Sequence, residues 1–364
     1  MGNYAILFVE FFLKFMIKCI YNTTKEGIKL NSEYIINIPP ELDGKRKFCW
    51  YVLDIIEDLF NKLIDPELSV TTVEFDIEEN PNKSLEWLLD TGREDFFVKI
   101  LSKNLSIKLL DDLILYIRES LSNLERGNLT ISCDLLRKPL KDNLLYLEWL
   151  LFDDKKLTHL VYNQKIDEYA LGRSGLSKEY IKEIVEYNVK NNNYICIKND
   201  SSIYDDSAKL IYDLRYNYDS PLSLELAWNK ATHLVTTGRK IRSVDFNFLN
   251  YDSPTDIKEF SKYLYGKIPL LLLYILGITE SIFNKYFKNI SSISQKYNVQ
   301  LVINKYLDMH ENYLRDIIGP SEFSLYCENC KNYYYLEKNN SNLVFEEICP
   351  KCKKKIKLNK YFFI

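Results

Sequence analysis

Glycine and proline are scarce in this chain, with 11 and 10 residues respectively among 364. So few helix breakers exclude a collagen-like or low-complexity chain and favour long helices. Histidine occurs only three times, and His159, His233 and His310 are far apart in the sequence. The chain contains no Walker loop, dinucleotide-binding glycine pattern, HExxH motif or GxSxG motif, so the enzyme classes that carry those signatures receive no support.

A strong net charge is also missing, because 48 basic and 51 acidic residues give a formal charge of −3. This excludes a global electrostatic attraction of the whole chain to nucleic acid. The distribution is uneven, since residues 327–364 hold eight lysines and four glutamates, which gives that segment +4 and the remainder −7. A basic C-terminal segment therefore follows a mildly acidic body.

Helical spacing of apolar side chains dominates the body. The segments 48–64 and 105–124 each place large apolar residues on one face, while 68–77 and 193–198 have the pattern of short strands. Serine followed by proline at 220–221 and 253–254 predicts two helix starts. We therefore predict a mainly α protein, with a multi-helix body over 1–318 and a small C-terminal module over 325–364. A division of the body into two subdomains would fall near 190–220.

Two apolar segments are tested for membrane character. Residues 4–20 carry Glu10, Lys14 and Lys18 at every fourth position, which predicts a mostly buried helix, with a membrane-surface helix as the alternative. The run 268–279 is too short to span a bilayer and is typical of a core helix. The sequence therefore predicts no integral membrane association.

The cysteines divide into two groups. Four are isolated in apolar or mixed segments and are expected to be buried free thiols: Cys19, Cys49, Cys133 and Cys196. The chain shows no secretory signal, so a reducing cytoplasmic location is expected.

The other four cysteines form two CxxC pairs, CENC and CPKC, separated by eighteen residues: Cys327, Cys330, Cys349 and Cys352. Two such pairs can complete a tetrahedron of thiolates around one metal ion, with zinc expected and iron as the alternative. This spacing resembles that of zinc ribbons. The resemblance implies a hairpin between the pairs, with a polar turn at 339–342, and a third strand after the second pair. Four protein ligands would leave no open coordination position, so the ion would hold the fold and take no part in catalysis.

Lysines crowd the second CxxC pair and tyrosines follow the first. The candidate nucleic-acid-binding residues are Lys351, Lys353, Lys354 and Lys355, with Lys357 close by and three tyrosines at 333–335. Lysines beside exposed aromatic side chains suit phosphate contact and base stacking. Docking of this module onto a partner protein is the equal alternative.

Glu148 is the one charged residue among apolar and aromatic neighbours over 144–152. A helix that is apolar all round lies in a core, so the carboxylate needs a cationic partner or a cavity. Arg137 and Lys141 occur earlier on a similar face. An internal ion pair with another helix is the first interpretation, and a functional cleft is the second.

A second polar cluster lies within 233–245 and contains His233, Thr236, Arg239, Arg242 and Asp245. Gly238 in this segment is expected to end a helix. The sharper interpretation is a loop that binds phosphate or RNA through Arg239 and Arg242.

The segment 135–152, in its context of long helices, resembles helical proteins of bacteria and, more distantly, the HEPN-like domains of abortive-infection and toxin systems. Active HEPN ribonucleases carry an arginine followed, five positions later, by a histidine. No arginine here has this partner, and the place after Arg137 holds Asp142. The resemblance implies a helical domain without that nuclease motif.

Three functions follow from these observations. The first is a non-enzymatic binding protein that engages nucleic acid or a protein partner through its zinc module, within bacterial antiviral defence or a stress response. The second is a metal-independent nuclease or toxin that uses Glu148, His233, Arg239 and Arg242. The third is a scaffold subunit that forms an oligomer or docks onto neighbouring chains.

Overall fold

The architecture is seen in a computed structural model that describes residues 5–6, 38–75, 85–171, 175–195, 201–237, 242–243, 246–247, 254–309, 323–327, 329–336, 346–349 and 351–357. Over these ranges the protein is mainly α-helical, as predicted. The expected helix at 4–20 lies outside the described residues except for Ala5 and Ile6, which form a strand instead.

Long helices make up the body. In chain order they are α1 (Asp43–Leu63), α2 (Pro66–Ser69), α3 (Leu85–Asp90), α4 (Glu94–Glu125), α5 (Leu129–Arg137), α6 (Leu144–Tyr162), α7 (Ile166–Tyr169), α8 (Lys178–Lys190), α9 (Ser201–Tyr216), α10 (Glu225–Thr232), α11 (Pro254–Tyr265), α12 (Ile268–Tyr286) and α13 (Ser292–Met309). A 3₁₀ turn (Pro40–Leu42) precedes α1, and a π-helical segment (Lys138–Asn143) joins α5 to α6.

Helix α12 is at the centre of the body. Fifteen of its nineteen residues are buried, and it packs against α1, α4 and α6. Its sequence, IPLLLLYILGITESIFNKY, begins with eleven residues that are all apolar or aromatic, so this part is apolar on every face, which explains why other helices surround it. Each fully buried leucine or isoleucine contributes about 1.5–3 kcal/mol, so this helix supplies a large part of the stability.

The stretch Ile257–Tyr286 is long and apolar enough to cross a bilayer by length and composition. However, 78% of its most apolar window is buried inside the protein, and Gly266 and Lys267 form a turn that separates α11 from α12. Its apolar surface is therefore occupied by contacts with the neighbouring helices.

One apolar cluster connects most of the body. It includes Leu53 of α1, Leu113 of α4, Trp149 of α6, Leu214 of α9 and Val302 of α13. Residues of this cluster lie both before and after 190–220 in the sequence. A division of the body into two subdomains near 190–220 stays a prediction. A second, smaller cluster packs α3 against the start of α4, around Trp87 and Phe97.

The isolated cysteines behave as predicted where the structure describes them. Cys49 and Cys133 are completely buried, and burial raises the pKa of the Cys133 thiol to about 12. Cys19 and Cys196 lie outside the described residues.

One of the two helix starts predicted at the Ser-Pro sites differs in the structure. The helix expected from 221 begins only at Glu225, because residues 221–223 form a turn and the amide of Leu224 donates to the carbonyl of Leu214 (2.9 Å). The Ser223 hydroxyl then accepts from the amide of Glu225 (3.1 Å). At the second site α11 begins at Pro254 as predicted.

The strands predicted in the body are shorter than expected or absent. In the described part of 68–77, which ends at Phe75, the strand is β2 (Glu74–Phe75), and it pairs antiparallel with β1 (Ala5–Ile6). Residues 193–195 form a turn, in which the Asn192 side chain accepts from the amide of Tyr194 (3.0 Å). For 193–195 the prediction of a strand is wrong, because this side chain to backbone bond closes the chain locally; residues 196–198 lie outside the described residues.

The C-terminal segment contains two short antiparallel hairpins. The first pairs β3 (Phe323–Cys327) with β4 (Asn332–Leu336), and the second pairs β5 (Glu346–Ile348) with β6 (Lys355–Lys357). Each CxxC pair therefore lies at the turn of its own hairpin. The turn expected at 339–342 lies outside the described residues, and in the described part β4 and β5 pair with other strands and not with each other.

Candidate metal centre

Three of the four predicted metal ligands come together. The sulfur atoms of Cys330, Cys349 and Cys352 all lie within 4.8 Å of one another. The Sγ atoms of Cys330 and Cys349, which belong to different CxxC pairs, are 3.6 Å apart. Four sulfurs at about 2.3 Å from one tetrahedral zinc ion are separated by about 3.8 Å, whereas a disulfide bond needs about 2.05 Å. The spacing suits a shared metal ion.

The two CxxC turns are built on the same backbone plan. Cys327 is the cross-strand partner of Asn332, five residues later. Cys349 stands in the same relation to Lys354, since its amide donates to the carbonyl of that lysine (3.0 Å). Cys327 therefore occupies the backbone position in the first turn that Cys349 occupies in the second. Its side chain lies outside the described set.

The residue after the second cysteine of each pair has a left-handed backbone. Lys331 has φ 53° and Lys353 has φ 55°. This conformation costs a residue other than glycine about 1–2 kcal/mol. Further bonds hold the turns, because the amide of Lys353 donates to the Cys349 carbonyl (2.9 Å) and the Asn332 side chain donates to the Cys330 carbonyl (2.7 Å).

Burial differs among the cysteines of this centre. Cys349 is 1% exposed, while Cys330 and Cys352 are partly exposed. A metal ion bound between them would be covered on the Cys349 side and closer to solvent on the other. A fourth thiolate would complete the tetrahedron and leave no position for a reacting water.

The candidate nucleic-acid-binding lysines surround the second turn. Lys351, Lys353 and Lys354 are exposed, and the ammonium of Lys354 donates to the Asn329 side chain in the first turn (2.8 Å). This bond links the two CxxC turns directly. Lys355 begins β6, and its side chain lies outside the described set, as do those of the three tyrosines at 333–335.

Glu148 lies far from solvent, in an ion pair with another helix, as the first interpretation predicted. Its carboxylate accepts two hydrogen bonds from Arg215 of α9, at 2.6 and 2.9 Å, and one from the hydroxyl of Tyr274 on α12. Both charged side chains are 0% exposed. The carboxylate thus joins α6, α9 and α12 at the centre of the body.

The π-helical segment supplies backbone carbonyls that accept hydrogen bonds from Arg215 and from the neighbouring Tyr216. The Leu140 carbonyl accepts from the Arg215 Nε (2.6 Å), and the Lys141 carbonyl accepts from the Tyr216 hydroxyl (2.8 Å). Burial opposes the charge of Arg215, but the Glu148 carboxylate outweighs this effect and raises the pKa of the guanidinium. Burial and then the same carboxylate raise the pKa of Tyr274. Because both pKa values are raised, Arg215 stays charged and the Tyr274 hydroxyl stays neutral over the physiological range.

The sequence pattern did not identify Arg215 as the partner of Glu148. Arg137 and Lys141 share its approximate face, yet Lys141 pairs with Glu225 of α10. The available signal was Arg215 itself, which is the one arginine in the sequence of α9 and stands between Leu214 and Tyr216. A long-range pairing of two helices is decided by packing, so the pattern marked the residue without identifying its partner.

The described residues of the second polar cluster lie in an irregular segment, in which hydrogen bonds link His233 and Thr236 to Asn247 and Ser243. Ser243 is central, because its hydroxyl accepts from the amide of Thr236 (2.8 Å) and donates to the Asn247 side chain (2.9 Å). His233 and Arg242 are exposed, whereas Arg239, Gly238 and Asp245 lie outside the described residues. The structure does not bring Glu148 together with His233 and Arg242, since the carboxylate is enclosed in the core.

Comparison with protein-family models, with curated proteins and with solved structures finds no match.

Proposed function

We propose that residues 325–364 form a zinc ribbon and that this protein is a binding protein whose ribbon engages nucleic acid. The observation that carries the proposal is the approach of three sulfur atoms, from both CxxC pairs, to within 4.8 Å. The equivalent backbone positions of Cys327 and Cys349 support Cys327 as the fourth ligand. An ion with four thiolate ligands stabilises the fold and does not catalyse.

Exposed cations favour nucleic acid as the partner. Lys351, Lys353 and Lys354 are all exposed around the second CxxC turn, in a segment whose formal charge is +4 within a chain of −3. Lysines displace counterions when they contact phosphates, which supplies affinity without reading sequence. A reducing cytoplasmic location belongs to the same proposal, because it keeps the thiols available for the metal.

Metal content is the first test. We expect the purified full-length protein to contain about one zinc ion per chain by elemental analysis, because four thiolates fill one tetrahedral site. Cys349→Ser should lose the ion, while Cys133→Ala, which changes an isolated buried thiol, should retain it. A protein that carries no metal when purified under reducing conditions refutes the ribbon, and one that carries iron corrects the ion.

Nucleic-acid binding is the second test. We expect the metal-loaded protein to bind labelled single-stranded DNA or RNA with an affinity that falls as salt rises. Replacing Lys351, Lys353, Lys354 and Lys355 with glutamate should abolish binding while metal content is unchanged. A folded, metal-loaded protein that binds none of the probes refutes the nucleic-acid partner, and binding to a protein would then be the remaining role of the ribbon.

A further inference from the structure

The two left-handed lysines occupy matching positions in the two CxxC turns. Lys331 directly follows Cys330, and Lys353 directly follows Cys352. Their φ angles, 53° and 55°, agree closely, and both side chains are exposed. Glycine adopts this backbone freely, and asparagine adopts it more easily than lysine. The chain therefore has the same unfavourable residue at the same place twice.

The sulfur cluster ties the backbones of these two lysines together through the cysteines that precede them. Each is bonded to a cysteine whose sulfur lies within 4.8 Å of the other two sulfurs. The bond from Lys354 to Asn329 further fixes the first turn against the second. A bound metal ion would make this arrangement rigid, so the two backbone positions could not separate without breaking the centre.

We propose that Lys331 and Lys353 form a paired contact for the phosphodiester backbone of nucleic acid, one lysine from each turn of the metal centre. This inference rests on the proposed function and adds Lys331, which the clustering of lysines after the second pair does not indicate. An ammonium group contacts phosphate as a point charge, so the pair attracts any sequence. Lys351 and Lys354 extend the same positive surface on the side of the second turn.

The strained backbone is the reason for assigning these two lysines a function. Residues in sparsely populated conformations persist where the surrounding structure holds them, and they cluster at binding sites. Glycine at both positions would favour the turn and the metal site. Lysine at both positions instead places a cation beside each half of the centre, where it is available to contact a phosphate.

The test compares Lys331→Asn, Lys353→Asn and the double variant in the full-length, metal-loaded protein. Asparagine removes the charge and tolerates the left-handed backbone. The matched control is Lys178→Asn with Lys288→Asn, two exposed lysines of the body that change the net charge by the same amount. Binding is measured by fluorescence anisotropy with labelled single-stranded DNA, single-stranded RNA and duplex DNA of about 20 nucleotides, between about 50 and 200 mM salt.

We expect the double variant to keep its metal and its thermal stability and to bind single strands roughly tenfold more weakly at low salt. The slope of log affinity against log salt should become shallower by about 1.4, because each lost phosphate contact on a single strand removes about 0.7. The control should bind as the wild type does. The RNA and DNA arms identify which backbone is preferred.

Unchanged binding by the metal-loaded double variant overturns this inference and leaves the proposed function in place. An equal loss in the body control overturns it as well, because the effect would then be one of net charge. If the wild type itself binds no probe, both the nucleic-acid partner and this inference are refuted. Should the asparagine variants lose metal, Lys331→Gly with Lys353→Gly provides the same test on a backbone that glycine favours.

Discussion

The guanidinium of Arg215 and the carboxylate of Glu148 form a two-point ion pair in which both side chains are fully buried. The pair connects α6 to α9, and the hydroxyl of Tyr274 adds α12 to the same carboxylate. Three helices that are distant in sequence thus meet at one charge pair. A packing that separated the two side chains would leave a buried charge without a partner, which is strongly unfavourable.

We predict that Glu148→Gln destabilises the protein by about 3–5 kcal/mol, because it leaves the buried Arg215 without a counter-charge. The free energy of unfolding is measured by denaturant titration. Glu57→Gln is the matched control, since it breaks the partly exposed pair of Glu57 with Arg118 and should cost under about 1 kcal/mol.

A double substitution tests whether the contributions of Glu148 and Arg215 to stability depend on each other. Glu148→Leu combined with Arg215→Met should be less destabilising than the sum of the two single changes, because no lone charge remains in the core. Additive losses would show that the two side chains do not depend on each other and would contradict the ion-pair assignment.

We predict that Gly277→Ala destabilises the body, although alanine favours helices by about 1 kcal/mol over glycine. A Cβ atom at Gly277 would lie 2.2 Å from the Oδ1 of Asn192, which packs against this point of α12. The Asn192 side chain also donates to the Tyr274 carbonyl (2.9 Å), so it cannot move without breaking that bond. We expect a loss of about 2–4 kcal/mol, typical of overpacking plus a broken buried hydrogen bond.

Thermal or chemical denaturation of Gly277→Ala provides the measurement, and Asn192→Ala provides the control. With the side chain of Asn192 shortened, adding a methyl group at Gly277 should cost much less. If Gly277→Ala is instead more stable than the wild type, then the Asn192 side chain does not lie against Gly277 as described.

We predict that stability rises with pH between about 8 and 10 through Lys103. Burial, and then the charge of Lys99, lowers the pKa of Lys103 from 10.5 to about 8 in the folded protein. The unfolded chain therefore binds more protons over this interval, and deprotonation favours the folded state. The gain is on the order of 2 kcal/mol, since one pKa unit corresponds to about 1.4 kcal/mol and the lowering is partly screened.

The measurement compares the free energy of unfolding of the wild type and of Lys103→Met at several pH values between about 7 and 9.5, because the difference cancels the titration of the tyrosines and cysteines that both proteins share. As the pH rises, the free energy of unfolding of the wild type should increase relative to that of Lys103→Met. For Lys178→Met, a change at an exposed position, the free energy of unfolding should vary with pH as it does for the wild type. A difference that is constant with pH would mean that Lys103 titrates normally.

We predict that chelation affects the C-terminal segment and not the body. Metal-binding free energy in small thiolate modules is folding free energy, so removing the ion should unfold the hairpins around Cys330 and Cys349. The helices of the body contain no part of the sulfur cluster. The helical circular-dichroism signal should therefore persist, while trypsin cuts rapidly at the lysines of 351–357.

Restored protease resistance after zinc addition is the control for chelation. Equal rates of cleavage with and without the chelator, in protein shown to have held metal, would mean that the ion does not hold this segment together.

The sequence by itself determined the helical class of the body, because apolar spacing in α1 and α4 and the scarcity of glycine and proline are local properties of the chain. It also identified the cysteine cluster, since two CxxC spacings leave few chemical alternatives. The charge of Glu148 among apolar neighbours was visible as well, together with its need for a partner.

Only the tertiary structure decided which groups meet. Arg215 reaches Glu148 because α6 and α9 pack in one register. The Asn192 side chain occupies the space beside Gly277 because the turn that contains it approaches α12 closely. The positive φ angles of Lys331 and Lys353 are set by the geometry of each turn and have no signature in composition. Pairings between distant segments depend on the packing of the whole core, which a pattern read along one chain does not contain.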